Sequence, residues 1–275
     1  MKSRIMVAAV GVPLLLLVML WAPIWVMAVM IAGLCLNACD ELMKCVGAEM
    51  EMPLRLISGV GALAIVFHEF LIFQDQMDFR WSEVSLPLAL AMVVIAAFAY
   101  AVLRGGEVKF VQVCAALFAM FAFSYSFSAF LRLYRYGYHR AFLLLPLIFS
   151  FCSDTFAFFT GLAIGKHKLA PKVSPNKTIE GAVGGLVGSV VGSVVFALVM
   201  NTWYGQSLRL PMFALMGLGG SVVAQLGDLS FSLIKREFGI KDYGDLFKAH
   251  GGVLDRFDSV LFVAPVLTLV LPSLL

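Results

Sequence analysis

The chain has 275 residues, of which 61% are hydrophobic and 13% charged, with a formal net charge of +3. A water-soluble domain carries about 45–50% apolar and about 25% charged residues, so this composition excludes an ordinary soluble globule and marks a membrane protein. The small positive charge argues against a nucleic-acid partner, and the five cysteines form no CxxC pair that would point to a zinc site.

The N-terminus, Met1-Lys-Ser-Arg4, leads into an apolar run and reads as the cytoplasmic start of a first transmembrane helix. Apolar stretches long enough to cross a bilayer are expected at 5–20, 23–38, 54–73, 86–103, 110–131, 139–159, 179–200, 211–234 and 257–274. The fold class is therefore an all-α polytopic membrane protein of about nine helices, with its polar site on the cytoplasmic side. Residues 1–135 are read as N-terminal membrane helices. Residues 136–275 are read as a C-terminal catalytic half with cytoplasmic loops 160–178 and 235–256. Segment 39–53 is expected to be a short surface helix stopped at Pro53.

With the N-terminus inside, only Arg80, Arg132, Arg135, Arg140 and Arg209 of the twenty basic residues face outward, which satisfies the positive-inside rule. The dissenting loop is 131–140, whose three arginines either snorkel among aromatic residues or signal a missing span. Loops 160–178 and 235–256 are separated by two spans, so they share one side of the membrane in either orientation. In the seventh span Gly184, Gly188 and Gly192 recur every fourth residue, which predicts close packing of one helix face.

Three polar clusters stand out in this apolar chain. Ser153-Asp154-Thr155 is expected at the end of the sixth span and leads into a loop with Lys166, Lys168, Lys172, Ser174, Asn176, Lys177, Thr178 and Glu180. Within that loop Ser174-Pro175 reads as a helix start. Gly161–His167 has neither the glycine spacing nor the Ser/Thr of a P-loop. Gln225-Leu-Gly-Asp228 lies inside the eighth span, where a carboxylate is costly unless paired or functional. The third cluster runs from Ser232 to Asp258 and holds Lys235, Arg236, Lys241, Asp242, His250, Gly251, Gly252, Asp255 and Arg256. Asp255 and Asp258 project from one helix face and either cap the last span or reach a metal together with Asp228. Magnesium takes one or two protein carboxylates and completes its shell with water and phosphate, so carboxylates from separate helices suit a nucleoside triphosphate. The lysines of 166–177 either hold phosphate or form an ordinary positive flank against anionic lipid.

Segment 232–258 closely resembles the signature of the phosphatidate cytidylyltransferase (CDP-diacylglycerol synthase) family. Ser232, Lys235, Arg236, Lys241, Asp242, Gly244, Phe247, His250, Gly251, Gly252, Asp255, Arg256 and Asp258 stand at its fixed places. Ser153–Gly181 and Gln225–Asp228 also look like the family, whereas the first half matches only as hydrophobic spans. One departure is Lys248-Ala249, where the family usually has Pro-Gly. The resemblance implies that CTP and phosphatidic acid react to CDP-diacylglycerol and pyrophosphate in phospholipid biosynthesis. It implies Asp228, Asp255, Lys235, Arg236 and His250 as catalytic residues. It implies Lys166, Lys172, Ser174, Asn176, Lys177, Thr178, Lys241, Asp242, Gly251, Gly252 and Arg256 as substrate-binding residues. Asp228 and Asp255 would hold Mg2+, with potassium as a second cation and with Asp154 and Asp258 as further candidate ligands. The expected setting is the plasma membrane, with the site facing the cytoplasm, and a homodimer is a further expectation. A CTP-dependent lipid kinase and a transporter or lipid-binding membrane protein are the competing readings.

Overall fold

In a computed structural model, residues 11, 13–48, 51–73, 79–136, 139–246 and 251–273 are described. Helices dominate them, because backbone amides in hydrocarbon must be satisfied within the segment itself. In chain order these are α1 (Ile24–Cys45), α2 (Met52–Phe73), α3 (Phe79–Leu103), α4 (Phe110–Arg135) and a 3-10 turn (Arg140–Leu144). There follow α5 (Leu145–Ile164), a hairpin of β1 (Lys168–Ala170) and β2 (Ser174–Thr178), α6 (Ile179–Tyr204), α7 (Leu210–Glu237) and α8 (Leu254–Val270). Among the described residues, seven helices are long and apolar enough to cross a membrane. The chain is thus an all-α polytopic membrane protein. Residues 13–20 are the described helical part of the expected first span, and α8 covers the expected ninth with 17 residues.

The chain forms two compact units, residues 1–138 with 238–256 and residues 139–237 with 257–275. Segment 238–256 groups with the N-terminal helices and not with the helices that precede and follow it in the chain.

In the first unit α1, α2 and α4 pack on one another around Met27, Ile31, Cys35, Met120, Phe123 and Phe127. Ser58 on α2 donates to the carbonyl of Ala116 on α4 at 3.0 Å, a polar tie between closely packed membrane helices. The expected surface helix at 39–53 is not present. The span of α1 runs on to Cys45, and Ala38, Cys39, Glu41, Leu42 and Met43 are all buried. The charges of Asp40, Glu41 and Lys44 disguise this last turn as surface, but Asp40 is ion-paired with Lys44 at 2.8 Å and with Arg55. Pro53 opens the next helix and does not stop this one.

Of the arginines of 131–140, Arg132 has specific partners. Helix α4 extends to Arg135, and Arg132 pairs with Glu69 at 2.7 Å while stacking 4.2 Å from the Tyr125 ring centroid. Both partners are mostly withdrawn from solvent, at 15% and 18% exposure. Exchange of Arg132 for Met leaves Glu69 uncompensated and is expected to cost about 1–3 kcal/mol. A thermal unfolding midpoint in detergent equal to that of the wild type would refute the pair's contribution.

In the second unit α5 and α6 lie in close contact along the expected glycine face. A Cβ on Gly184 would stand 2.5 Å from Thr160 Cβ, one on Gly188 2.5 Å from Phe156 Cβ, and one on Gly192 2.8 Å from Cys152 Sγ. Side chains spaced by four on α5 thus enter the gaps left by glycines spaced by four on α6. The sequence expectation ends the sixth span at 159; the apolar run Phe156–Ile164 carries α5 five residues further, so Asp154 lies mid-helix. Ser174-Pro175 does not start a helix either. Both residues belong to β2, paired antiparallel with β1, and Thr178 caps α6 by accepting from the amide of Gly181 at 3.1 Å. The side-chain acceptor sits where the first amides of a helix lack intrahelical partners.

Candidate active site

The second unit contains a cleft of about 490 Å³, lined by Asp154 and Gly161 of α5, Asn176, Lys177 and Thr178 of β2, Gly181 of α6, and Gln225 and Asp228 of α7. Helix α7 brings Asp228 to it one turn before Ser232, whose hydroxyl donates to Asp228 Oδ1 at 3.5 Å. Strand β2 brings Lys177, whose ammonium is paired directly with Asp228 Oδ2. The pair answers the cost of a carboxylate inside an apolar helix. Burial, the largest influence, holds the Lys177 ammonium below its ordinary lysine range; Asp154 and Asp258 pull it upward and Lys235 pushes it down.

Asp154 and Asp258 lie near enough to feel one another's charge, and Asp258 also feels Lys235 and Lys177. Asp258 is oriented by the amide of Ser259, which donates to its Oδ1 at 2.7 Å. Its backbone passes so close to α7 that a Cβ on Gly227 would stand 2.8 Å from its carbonyl oxygen. Asp154 and Asp258 thus lie within electrostatic reach of Lys177, which is paired with Asp228, and Asp258 also feels Lys235.

Beneath the charged layer, Ser153 and Ser221 share a 2.7 Å hydrogen bond. Gln225 donates to Ser221 Oγ and to the carbonyl of Ala182, both at 3.1 Å. This network ties α5, α6 and α7 together and fixes the floor of the cleft.

The other loop residues divide by role. Lys166 and Lys172 are exposed on the hairpin, Ser174 is half-buried and Asn176 is exposed. Glu180 anchors the hairpin by accepting from the amides of Lys166 and His167 at 3.1 and 3.2 Å and from His167 Nδ1 at 2.6 Å. Arg236 donates from Nε to the carbonyl of Val173 at 3.3 Å and so holds the hairpin turn to the end of α7.

The rest of the sequence-derived site belongs to the first unit. Lys241, Asp242 and Arg256 are exposed. Asp255 Oδ2 accepts from the amides of Tyr243 at 2.8 Å and Gly252 at 3.0 Å. Gly251 has φ +81°, a left-handed conformation suited to glycine, and a Cβ there would stand 2.7 Å from Asp255 Oδ2. The glycine pair thus admits a protein carboxylate to the backbone. His250 and the Lys248-Ala249 departure lie outside the described residues.

One residue missed from the sequence is Glu41, which accepts from the amides of Val253 and Leu254. A continuous helical period through 24–45 would have found it, since Ala38 and Leu42 flank it on the buried side of α1.

The comparisons with known proteins agree with the motif. The profile of the cytidylyltransferase family matches residues 2–274. A protein of Bacillus subtilis (strain 168) named phosphatidate cytidylyltransferase is 34% identical over 223 residues, covering 78% of this chain and 79% of its own. A Staphylococcus aureus (strain COL) protein of the same name is 32% identical over 277 residues, covering 98% of this chain and 99% of its own. One from Staphylococcus haemolyticus (strain JCSC1435) is 34% identical over 222 residues, covering 79% and 81%. A membrane helix bundle, a carboxylate–ammonium cleft and a match along nearly the whole length lead to one conclusion: the chain belongs to the cytidylyltransferase family.

Proposed function

We propose that this protein is a phosphatidate cytidylyltransferase that converts CTP and phosphatidic acid to CDP-diacylglycerol and pyrophosphate. The observation that carries the reading is the Lys177–Asp228 pair at the cleft, with Asp154, Asp258 and Lys235 around it, in a chain built of membrane helices. A phosphate oxygen of the lipid attacks the α-phosphorus of CTP, the bond from that phosphorus to the bridging oxygen breaks, and pyrophosphate leaves. The lipid phosphate is already an anionic nucleophile, so the protein need not supply a strong base.

What the reaction requires is relief of repulsion between two anions and their alignment. Lys177 and Lys235 supply positive charge. The fixed floor of Ser153, Ser221 and Gln225 holds α5, α6 and α7 in register, so that Asp154 and Asp228 keep their spacing.

The donor set fits a hard cation. It consists of carboxylate oxygens, and an ammonium of the chain itself already pairs with Asp228. Mg2+ takes one or two protein carboxylates and completes its shell with phosphate and water. Asp228, with Asp154 and Asp258 beside it, would hold that ion, and Asp255 is the candidate ligand of the first unit. When bound, the ion supplies charge neutralisation on the triphosphate and on departing pyrophosphate. Lys177, at the same cleft, would offer its ammonium to the phosphate oxygens. The proposed setting is the plasma membrane with the cleft open to the cytoplasm, where CTP arrives from water and the diacyl lipid from the leaflet.

Protein purified in detergent is expected to release pyrophosphate from CTP only when phosphatidic acid and Mg2+ are both present, with CDP-diacylglycerol as the lipid product. Formation of CDP instead would establish a lipid kinase, and flux without nucleotide turnover a transporter. A Lys177→Met exchange is expected to lower kcat/KM for CTP on the order of 100-fold; unchanged kinetics would remove Lys177 from the site.

A further inference from the structure

The turn that opens α8 is held by a carboxylate that the proposed chemistry leaves unused. Glu41 of α1 is 6% exposed although it lies in a membrane helix. Its Oε1 accepts from the amide of Val253 at 2.7 Å and its Oε2 from the amide of Leu254 at 2.8 Å. Two glycines make room for it: a Cβ on Gly252 would stand 2.5 Å from Glu41 Oε2, and one on Gly244 2.8 Å from Oε1. On the same turn Asp255 Oδ2 takes the amides of Tyr243 and Gly252. Two carboxylates within reach of one another's charge thus engage four backbone amides.

The first amides of a helix lack partners and attract an anion. Here that anion is part of the protein, so the amides of Gly252, Val253 and Leu254 are already committed and the Gly251-Gly252 pair is shaped around Glu41 and Asp255. Glu41 reaches them from more than 200 residues away. Removal of its carboxylate orphans two buried amides next to Asp255, and the turn that sets the Asp255 carboxylate loses its fixed end.

We infer that Glu41 is a positioning residue: its carboxylate clamps the 251–255 turn and thereby sets the orientation of Asp255 for catalysis. The inference rests on the phosphatidate cytidylyltransferase reading. Glu41→Ala, the isosteric Glu41→Gln, Glu41→Asp, Gly252→Ala and the Gly252→Ala/Glu41→Asp double variant of the full chain are compared with the wild type and with Asp255→Asn. Two readouts are used: hydrogen exchange of peptides covering 251–256, and steady-state kinetics with CTP and phosphatidic acid.

In Glu41→Ala and Glu41→Gln the amides of Val253 and Leu254 are expected to exchange at least about tenfold faster, since each loses a charged acceptor. The kcat is expected to fall about 100-fold, with little change in KM for phosphatidic acid. Gly252→Ala places a methyl group on the carboxylate and loses activity by itself. Shortening the acid in the double variant makes room and restores about tenfold over Gly252→Ala alone, the signature of directly coupled sites. Wild-type kcat in Glu41→Gln, or losses in Gly252→Ala and Glu41→Asp that simply multiply, overturns the inference. An active wild type with an inactive Asp255→Asn and a fully active Glu41→Ala also overturns it while leaving the functional reading intact. A wild type that forms no CDP-diacylglycerol overturns the functional reading, and the exchange data then show whether the clamp exists.

Discussion

An Asp228→Asn variant is expected to lose cytidylyl transfer by on the order of 10³-fold while remaining folded. Asparagine keeps the shape of the side chain and its reach to Ser232 but removes the negative charge that Lys177 pairs with. Two effects then act together. The proposed cation site would lose a carboxylate, and Lys177 faces a neutral amide in a half-buried position. Loss of one preorganised electrostatic group costs about 10²–10³ in rate, and a charge-bearing one at the centre of the cluster belongs at the upper end. Asp154→Asn and Asp258→Asn are expected to lose less, because each leaves Asp228 in place. Lys177→Met combined with Asp228→Asn is expected to be less damaging than the product of the single losses, since the two form one pair. Quantifying CDP-diacylglycerol at saturating CTP and phosphatidic acid decides the matter; wild-type turnover in Asp228→Asn would dismiss the cleft as the reaction centre.

Gly188→Ala is expected to lose stability. Its methyl group would stand 2.5 Å from Phe156 Cβ, an atom bonded to the backbone of α5 that cannot swing aside. The helices must separate, at a cost of about 1–3 kcal/mol for an overpacked interface. Separation also carries Asp154 of α5 away from the strand that holds Lys177, so activity falls with stability. Phe156→Ala opens the space and is expected to recover most of the unfolding midpoint in the double variant. A Gly188→Ala protein that unfolds at the wild-type temperature in detergent would show that the interface yields without cost.

The bilayer makes much of this protein legible in its sequence. Long apolar runs must become helices because no other local structure satisfies its own amides in hydrocarbon, and seven of the expected spans stand where the sequence places them. The Gly184–Gly188–Gly192 period announces a contact face by itself, since a backbone stripped of side chains on one side has closeness as its packing advantage. The polar and charged residues around 153–180 and 225–258 stand out in the sequence because charge in such surroundings is costly to retain.

Pairings and partners are a different matter. That Lys177 pairs with Asp228, and not Lys166 or Lys172, depends on the β1–β2 register, which alternates side chains on a strand too short to show a pattern. Ser174-Pro175 satisfies the local rules for a helix start, yet pairing with β1 outweighs them. Glu41 looks like surface because its neighbours in sequence are Asp40 and Lys44; its real neighbours are Val253 and Leu254. Hydrophobicity and helical period reveal the class, most spans, the glycine interface and the two polar segments along the chain. Which carboxylate meets which cation or amide depends on contacts between residues far apart in the chain, and local propensity carries no record of them.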